Sequence, residues 1–185
     1  MNYEVEKTIR MDKKEFDRVK KLLDTKAHKI DKFTTITYLF KKPRYVRIRY
    51  KTNSNKAIIT QKKNVKKSLI REETEFEIQR KDINKFVKLL KNLGFKKCLN
   101  VKIKNITYTY EGLELKLSIG LLGNLLDIES VATNKKEFNA KLNKINSVIK
   151  EFHMDGESYM RFWNKKEEIV RKNMKPINKF KELKW

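Results

Sequence analysis

Cysteine is nearly absent from this chain. Cys98 is the single one in 185 residues, which excludes a disulfide framework and a thiolate metal cluster. Histidine is almost as scarce: His28 and His153 stand far apart in sequence and are expected at the surface rather than as a ligand pair. Long apolar runs are also lacking; none approaches the ~20 residues that span a bilayer. The N-terminus shows no signal-peptide pattern and opens directly into a strand-like stretch. These deficits point to a reducing, cytoplasmic setting and away from a membrane.

Charge is what the chain has in excess. Charged residues make up 37% and apolar residues 39% of it, enough at this length for one domain with a real core. Lysine and arginine number 46 against 23 acidic residues, a net charge of +23. Two readings of that excess stay open. One is compositional drift in a chain rich in lysine, asparagine and isoleucine. The other is attraction to a polyanion: a nucleotide, a polyphosphate or RNA. The basic residues are spread along the chain rather than gathered in one block.

The charges alternate with apolar residues, and their signs are sorted. Within Arg44 to Lys51, Val46, Ile48 and Tyr50 point one way while Arg47, Arg49 and Lys51 point the other, since side chains on a strand have a period of two. Glu4 and Glu6 alternate with Tyr3 and Val5. Arg71, Glu73, Glu75 and Glu77 alternate with Ile70, Thr74, Phe76 and Ile78, Glu72 being the exception. Lys102 and Lys104 alternate with Val101 and Ile103, and Asp127 and Glu129 with Leu126 and Ile128. A solvated face mixes signs freely; here whole strands are acidic or basic. Side by side, such strands would set a grip for cations next to a grip for anions, which is what a metal-chelated triphosphate requires.

The elements follow in order. Residues 1–10 predict a strand. Asp12 predicts a helix cap, with Glu15 three residues on and Met11 able to staple to Phe16; the apolar stripe is Phe16, Val19, Leu22 and Leu23. Strands are predicted over 28–40 and 45–51, with a turn at 52–55 and a hairpin partner over 56–63 that puts Ile58, Thr60 and Lys62 on one face. After a basic loop the pattern repeats. A strand over 68–78 leads to a helix capped by Asp82, with the stripe Phe86, Leu89, Leu90 and Leu93, stopped by Gly94. Strands over 99–110 and 113–119, a loop over 120–124 and a strand over 125–131 precede a helix opened by Asn134 and Glu137, carrying Phe138, Leu142, Ile145 and Ile149.

The expected class is therefore α+β. Roughly eight antiparallel strands each carry charge on one face, and unpaired charge is too costly to bury in an ordinary core. The expectation is an eight-stranded antiparallel β-tunnel, a closed barrel with a charged, wet interior and helices packed on its outside. This inverts the usual small barrel, whose interior is filled by side chains.

The ordered motifs carry a resemblance. Glu4-Val5-Glu6 looks like the ExExK signature of the CYTH superfamily, the triphosphate tunnel metalloenzymes. Arg47-Ile48-Arg49 is similar to its RxR strand and Thr60-Gln61-Lys62 to its TxK. Arg71 to Glu75 resembles its second acidic strand, and Lys102-Ile103-Lys104 its Lys-x-Arg pair. Gly123 to Glu129 resembles its G-x-F-x-E-x-E, and Ser158-Tyr159 its terminal Ser-Tyr. The resemblance covers residues 1–163, leaving 164–185 as a basic C-terminal helix or tail; Trp163, Ile169 and Val170 could dock a last helix. The chain departs from the pattern at Thr8, where the signature has lysine and where Arg10 shares the face of Glu4 and Glu6. It departs again at Ser118, where an aspartate is expected, and at Asp127, a shorter acid than the family's glutamate.

What the resemblance implies is a tunnel of eight strands and dependence on Mg²⁺ or Mn²⁺. Arg47, Arg49, Lys62, Lys102 and Lys104 would bind phosphate oxygens. Glu73, Glu75, Asp127 and Glu129, with Glu4 and Glu6, would hold one or two hard cations, and Glu4, Glu6 and Arg10 would serve catalysis. The expected activity is metal-dependent hydrolysis of inorganic triphosphate, a nucleoside triphosphate or an RNA 5′ end. The alternatives are a class IV-like adenylyl cyclase, releasing pyrophosphate from ATP, and a non-catalytic polyanion-binding tunnel. The expected partner is a triphosphate-containing small molecule or an RNA 5′ end and no membrane; a homodimer is left open.

Overall fold

The computed structural model describes residues 3–41, 45–64, 71–154 and 168–177. The expectations placed on Pro43, Ser158, Tyr159, Trp163 and the segment beyond Ile177 lie outside them. The class is α+β, with antiparallel strands in the sheet and helices beside it. The chain divides into two compact units, Met1–Lys32 with Lys104–Glu168, and Phe33–Ile103 with Ile169–Trp185.

In the first unit, β1 (Tyr3–Met11) lies antiparallel to β8 (Gly123–Ala132), β8 to β7 (Leu113–Gly120), and β7 to the latter part of β6 (Lys97–Tyr110). Two helices cover the apolar side. Helix α1 (Lys13–Lys26) opens where Asp12 Oδ1 accepts the Glu15 amide at 2.8 Å, and it buries Phe16, Val19 and Leu23. Helix α3 (Lys135–Glu151) opens where Asn134 Oδ1 accepts the Glu137 amide at 2.9 Å, and it buries Ile145 and Val148. These side chains join Val5, Ile9, Met11, Tyr108, Leu113, Leu115, Leu117, Leu126 and Ile128 in one core.

In the second unit, β2 (His28–Phe40) pairs with β3 (Tyr45–Lys51), β3 with β4 (Lys56–Asn64), and β4 with β5 (Arg71–Gln79). A single 3₁₀ turn, Arg80–Asp82, leads into α2 (Ile83–Asn92). The core gathers Ile36, Tyr38, Phe40, Val46, Ile48, Tyr50, Ala57 and Ile59 with Ile83, Val87 and Leu90. A short strand β9 (Lys175–Pro176) pairs with Lys97 and Cys98, and Ile177 is buried in the same core.

Three local expectations are corrected. Asp82 makes no capping hydrogen bond to the helix; it has φ −92° and ψ −2°, still coiled, and its Oδ1 accepts from Lys85 Nζ at 2.9 Å. The buried stripe of α2 is Ile83, Val87 and Leu90, so Leu89 and Leu93 are exposed at 49% and 59%. The loop expected over 120–124 is a two-residue turn, because Gly120 already pairs with Gly123, and Gly123 adopts φ +97°, where a side chain is disfavoured.

Candidate functional site

Register gives the first unit a charged face. Glu6 lies opposite Glu129, and Thr8 opposite Asp127. On the far side of β8, Glu114 lies opposite Glu129 and Lys116 opposite Asp127. Glu6, Glu129 and Glu114 therefore form a row across three strands. Glu4 continues the acidic face along β1, two residues before Glu6. Like charges directly opposite one another destabilise a sheet.

The carboxyls register that crowding. Glu6 is exposed by area, yet its carboxyl is held above the usual carboxylate range by desolvation, then by Asp127, Glu4 and Glu129, with Lys116 opposing. Glu129 is likewise raised, first by burial, with Lys116 opposing and Glu114 adding to the rise. Thr8 Oγ1 donates to Asp127 Oδ1 at 2.7 Å, so the residue standing in the lysine position holds the neighbouring acid. Among the described residues no group of three acids already converges as a metal-ligand cluster. The donors are nonetheless all carboxylate oxygens, which suits a hard divalent cation, and a cation there would relieve the opposition of like charges.

Arg10 lies along the same strand face as Glu4, Glu6 and Thr8, and it rests on the β7–β8 turn. A Cβ on Gly123 would come within 3.3 Å of Arg10 Nε. The bare glycine thus leaves room for the guanidinium.

The second unit has the basic face. Arg49 lies opposite Thr37 on β2 and Ile58 on β4, and Arg47 opposite Leu39 and Thr60. Thr60 faces Glu75, and Lys62 takes the next position on the row by register, opposite Glu73. Thr60 is fully buried. Its Oγ1 donates to Glu75 Oε1 at 2.6 Å and accepts from Arg47 Nη2 at 3.3 Å. Glu75 Oε1 stands 3.7 Å from the same Nη2. Glu75, expected as a metal ligand, here orients Arg47 through Thr60. One edge of that guanidinium remains unspent, since Arg47 Nε is buried with no hydrogen-bond partner. A buried donor without an acceptor is costly.

Of the residues expected from sequence, the first unit brings together Glu4, Glu6, Asp127 and Glu129, and the second Arg47, Arg49, Lys62, Glu73 and Glu75. Lys104 is not brought to the charged face. It pairs with Ile119, next to the Asn105–Ser118 pair, and so lies on the side of Ile106 and Leu117. Lys102 is exposed on the same strand. The sequence misleads there because apolar residues fall at 101 and 103 and then at 106, 108 and 110, so the period changes phase within one long strand. The structure adds Glu114 and Lys116, whose signal was the alternation of the 113–119 strand, and Thr60 as the residue that holds Arg47. His28 and His153 are exposed, as expected.

The profile of the CYTH domain matches residues 2–162. Among solved structures, the chain is similar to the PH1819 protein of Pyrococcus horikoshii OT3, with 26% identity and a TM-score of 0.66 over 89% of this chain and 99% of that one. It is similar to PH1012 of the same organism, with 24% identity and a TM-score of 0.62 over 83% and 92%. The adenylyl cyclase candidate HpAC1 from Hippeastrum, whose structure reveals a dominant triphosphatase activity, shares the fold at 17% identity and a TM-score of 0.62 over 90% and 96%. No functionally curated protein matches. No helix among the described residues is long and apolar enough to cross a membrane.

Proposed function

Because the chain belongs to the CYTH family, whose members are generally enzymes, we propose that it is a metal-dependent triphosphatase. In this reading the acidic face of the first unit holds the metal, and the basic face of the second binds phosphate oxygens. The observation that carries the reading is the row Glu6–Glu129–Glu114. Three directly opposed glutamates cost stability, and a cation bound among them offsets that cost.

Glu4, Glu6, Asp127 and Glu129 would hold Mg²⁺ or Mn²⁺. When bound, such an ion neutralises phosphate charge and lowers the pKa of water. The protein's own groups do the rest. Arg47 lies on the basic row, and Thr60 and Glu75 keep its plane fixed for phosphate oxygens. Arg49 and Lys62 extend the grip along the row. In-line attack on the terminal phosphorus then releases phosphate.

A product assay on inorganic triphosphate and on ATP, with Mg²⁺ and with Mn²⁺, tests this. Phosphate is the expected product. Pyrophosphate with cyclic AMP would make the protein a cyclase, and no product in either metal would leave a binding tunnel.

A further inference from the structure

Lys116 stands beside the acidic row. Strand β7 sets it opposite Asp127, its Nζ lies 3.7 Å from Glu129 Oε2, and its side chain is only 24% exposed. The approach is an ion pair rather than a hydrogen bond. Two residues along the same face is Ser118, where the sequence pattern expects an acid. It is buried, and its hydroxyl donates to Asn105 Oδ1 at 2.9 Å. One strand thus presents a cation and a neutral serine at neighbouring positions of one face. Both features lower the negative charge offered to divalent ions. Lys116 also acts on Glu6 as well as Glu129, opposing the rise in both carboxyls, so its charge reaches across the row.

We infer that the Lys116 ammonium is a tethered cation that stands in for a second divalent ion, so that the acidic row of this chain takes one. The inference rests on the reading of the row as a metal grip. A lysine ammonium is a compact point charge, here on a side chain only 24% exposed. A divalent ion seeking Glu129 meets that charge at ion-pair distance, whereas one seated on the Glu4 side of β1 does not.

Binding of Mn²⁺ without substrate, followed by calorimetry and by the spectroscopic signal of free Mn²⁺, tests it on wild type, K116M, K116R and K116M/S118D. Wild type is expected to bind one Mn²⁺. K116M should bind a second, or the first about tenfold more tightly, since a charge at this range is worth that much even in a wet site. K116R should behave as wild type, and K116M/S118D should take the second ion most tightly. Wild type binding two ions of similar affinity overturns the inference whatever the variants do. K116M indistinguishable from a one-ion wild type also overturns it, yet leaves the metal grip standing. No binding by any of the four removes both.

Discussion

Glu129 has a glutamate directly opposite it on each side, and the consequence is measurable at the scale of one residue. A carboxyl whose folded pKa is raised binds protons more readily when folded than when unfolded. Its penalty is therefore fully present above the folded pKa and disappears as pH falls to the unfolded value. For Glu6, raised in the folded chain, removing the charge should help the metal-free protein. E6Q is expected to stabilise it at about pH 8 by ~0.5 kcal/mol, the scale of one cross-strand pair, and to give no gain near pH 4. The same substitution should abolish metal-dependent turnover. Thermal melts of the two proteins at both pH values, with chelator, decide it; a destabilised E6Q at the higher pH would mean the row is not crowded. The basic side has its own contrast. R49A should weaken triphosphate binding by about tenfold or more, the worth of a charge-assisted hydrogen bond, while K104A should bind as wild type because its register faces it away. Isothermal titration on both proteins compares them, and a K104A loss as large as that of R49A would put Lys104 back in the site.

At the scale of elements, the turns matter as much as the strands. Glu111 and Gly112 both have positive φ, +50° and +73°, the form that suits the twist of a two-residue hairpin. Gly123 has φ +97° and supports Arg10; Gly94 has φ +88° with nothing near its missing Cβ. G94A and G123A should each cost about 1 kcal/mol for placing a side chain at positive φ. Only G123A should also lower activity, by displacing Arg10. Denaturant melts and turnover on both variants separate the effects, and full activity in G123A would show that Arg10 is not held there for function. The capped starts of α1 and α3 follow the same logic, with Asp12 and Asn134 each accepting the amide three residues on. Asp82 does not, because the chain is already coiled before it.

At the scale of the whole molecule, the tail and the net charge are linked questions. Lys175 and Pro176 pair with β6, and Ile177 is 7% exposed in the core of the second unit. Deleting from Lys175 onward should therefore destabilise the protein by roughly 2 kcal/mol, the worth of a buried isoleucine. Deleting only Asn178 to Trp185 keeps the Lys175–Pro176 pairing and is the deletion that tests RNA. If the lysines beyond Ile177 contact a 5′-triphosphorylated strand, its removal should flatten the log–log salt dependence by about 0.7 per phosphate released. We expect equal slopes, since the +23 charge is not concentrated in that segment; a flatter slope would make RNA a partner.

Strand-face membership was legible from sequence, because a period of two is a local property of the backbone. The sequence separated Arg47 and Arg49 from Val46, Ile48 and Tyr50, and Glu4 and Glu6 from Val5, and it marked the caps of α1 and α3. Which charges become neighbours was a different matter. Thr8 and Asp127 are 119 residues apart and share a 2.7 Å hydrogen bond, and only pairing between distant strands could place Glu6, Glu129 and Glu114 in one row with Lys116 beside them. Tertiary structure likewise decided the phase of β6, where two apolar periods compete and the pairing of Asn105 with Ser118 turns Lys104 away. It also decided which side of α2 is buried, since Leu89 and Leu90 are equally apolar and only packing against β2, β3 and β4 distinguishes them. Register is set by contacts across the sheet, so it appears only when those strands meet.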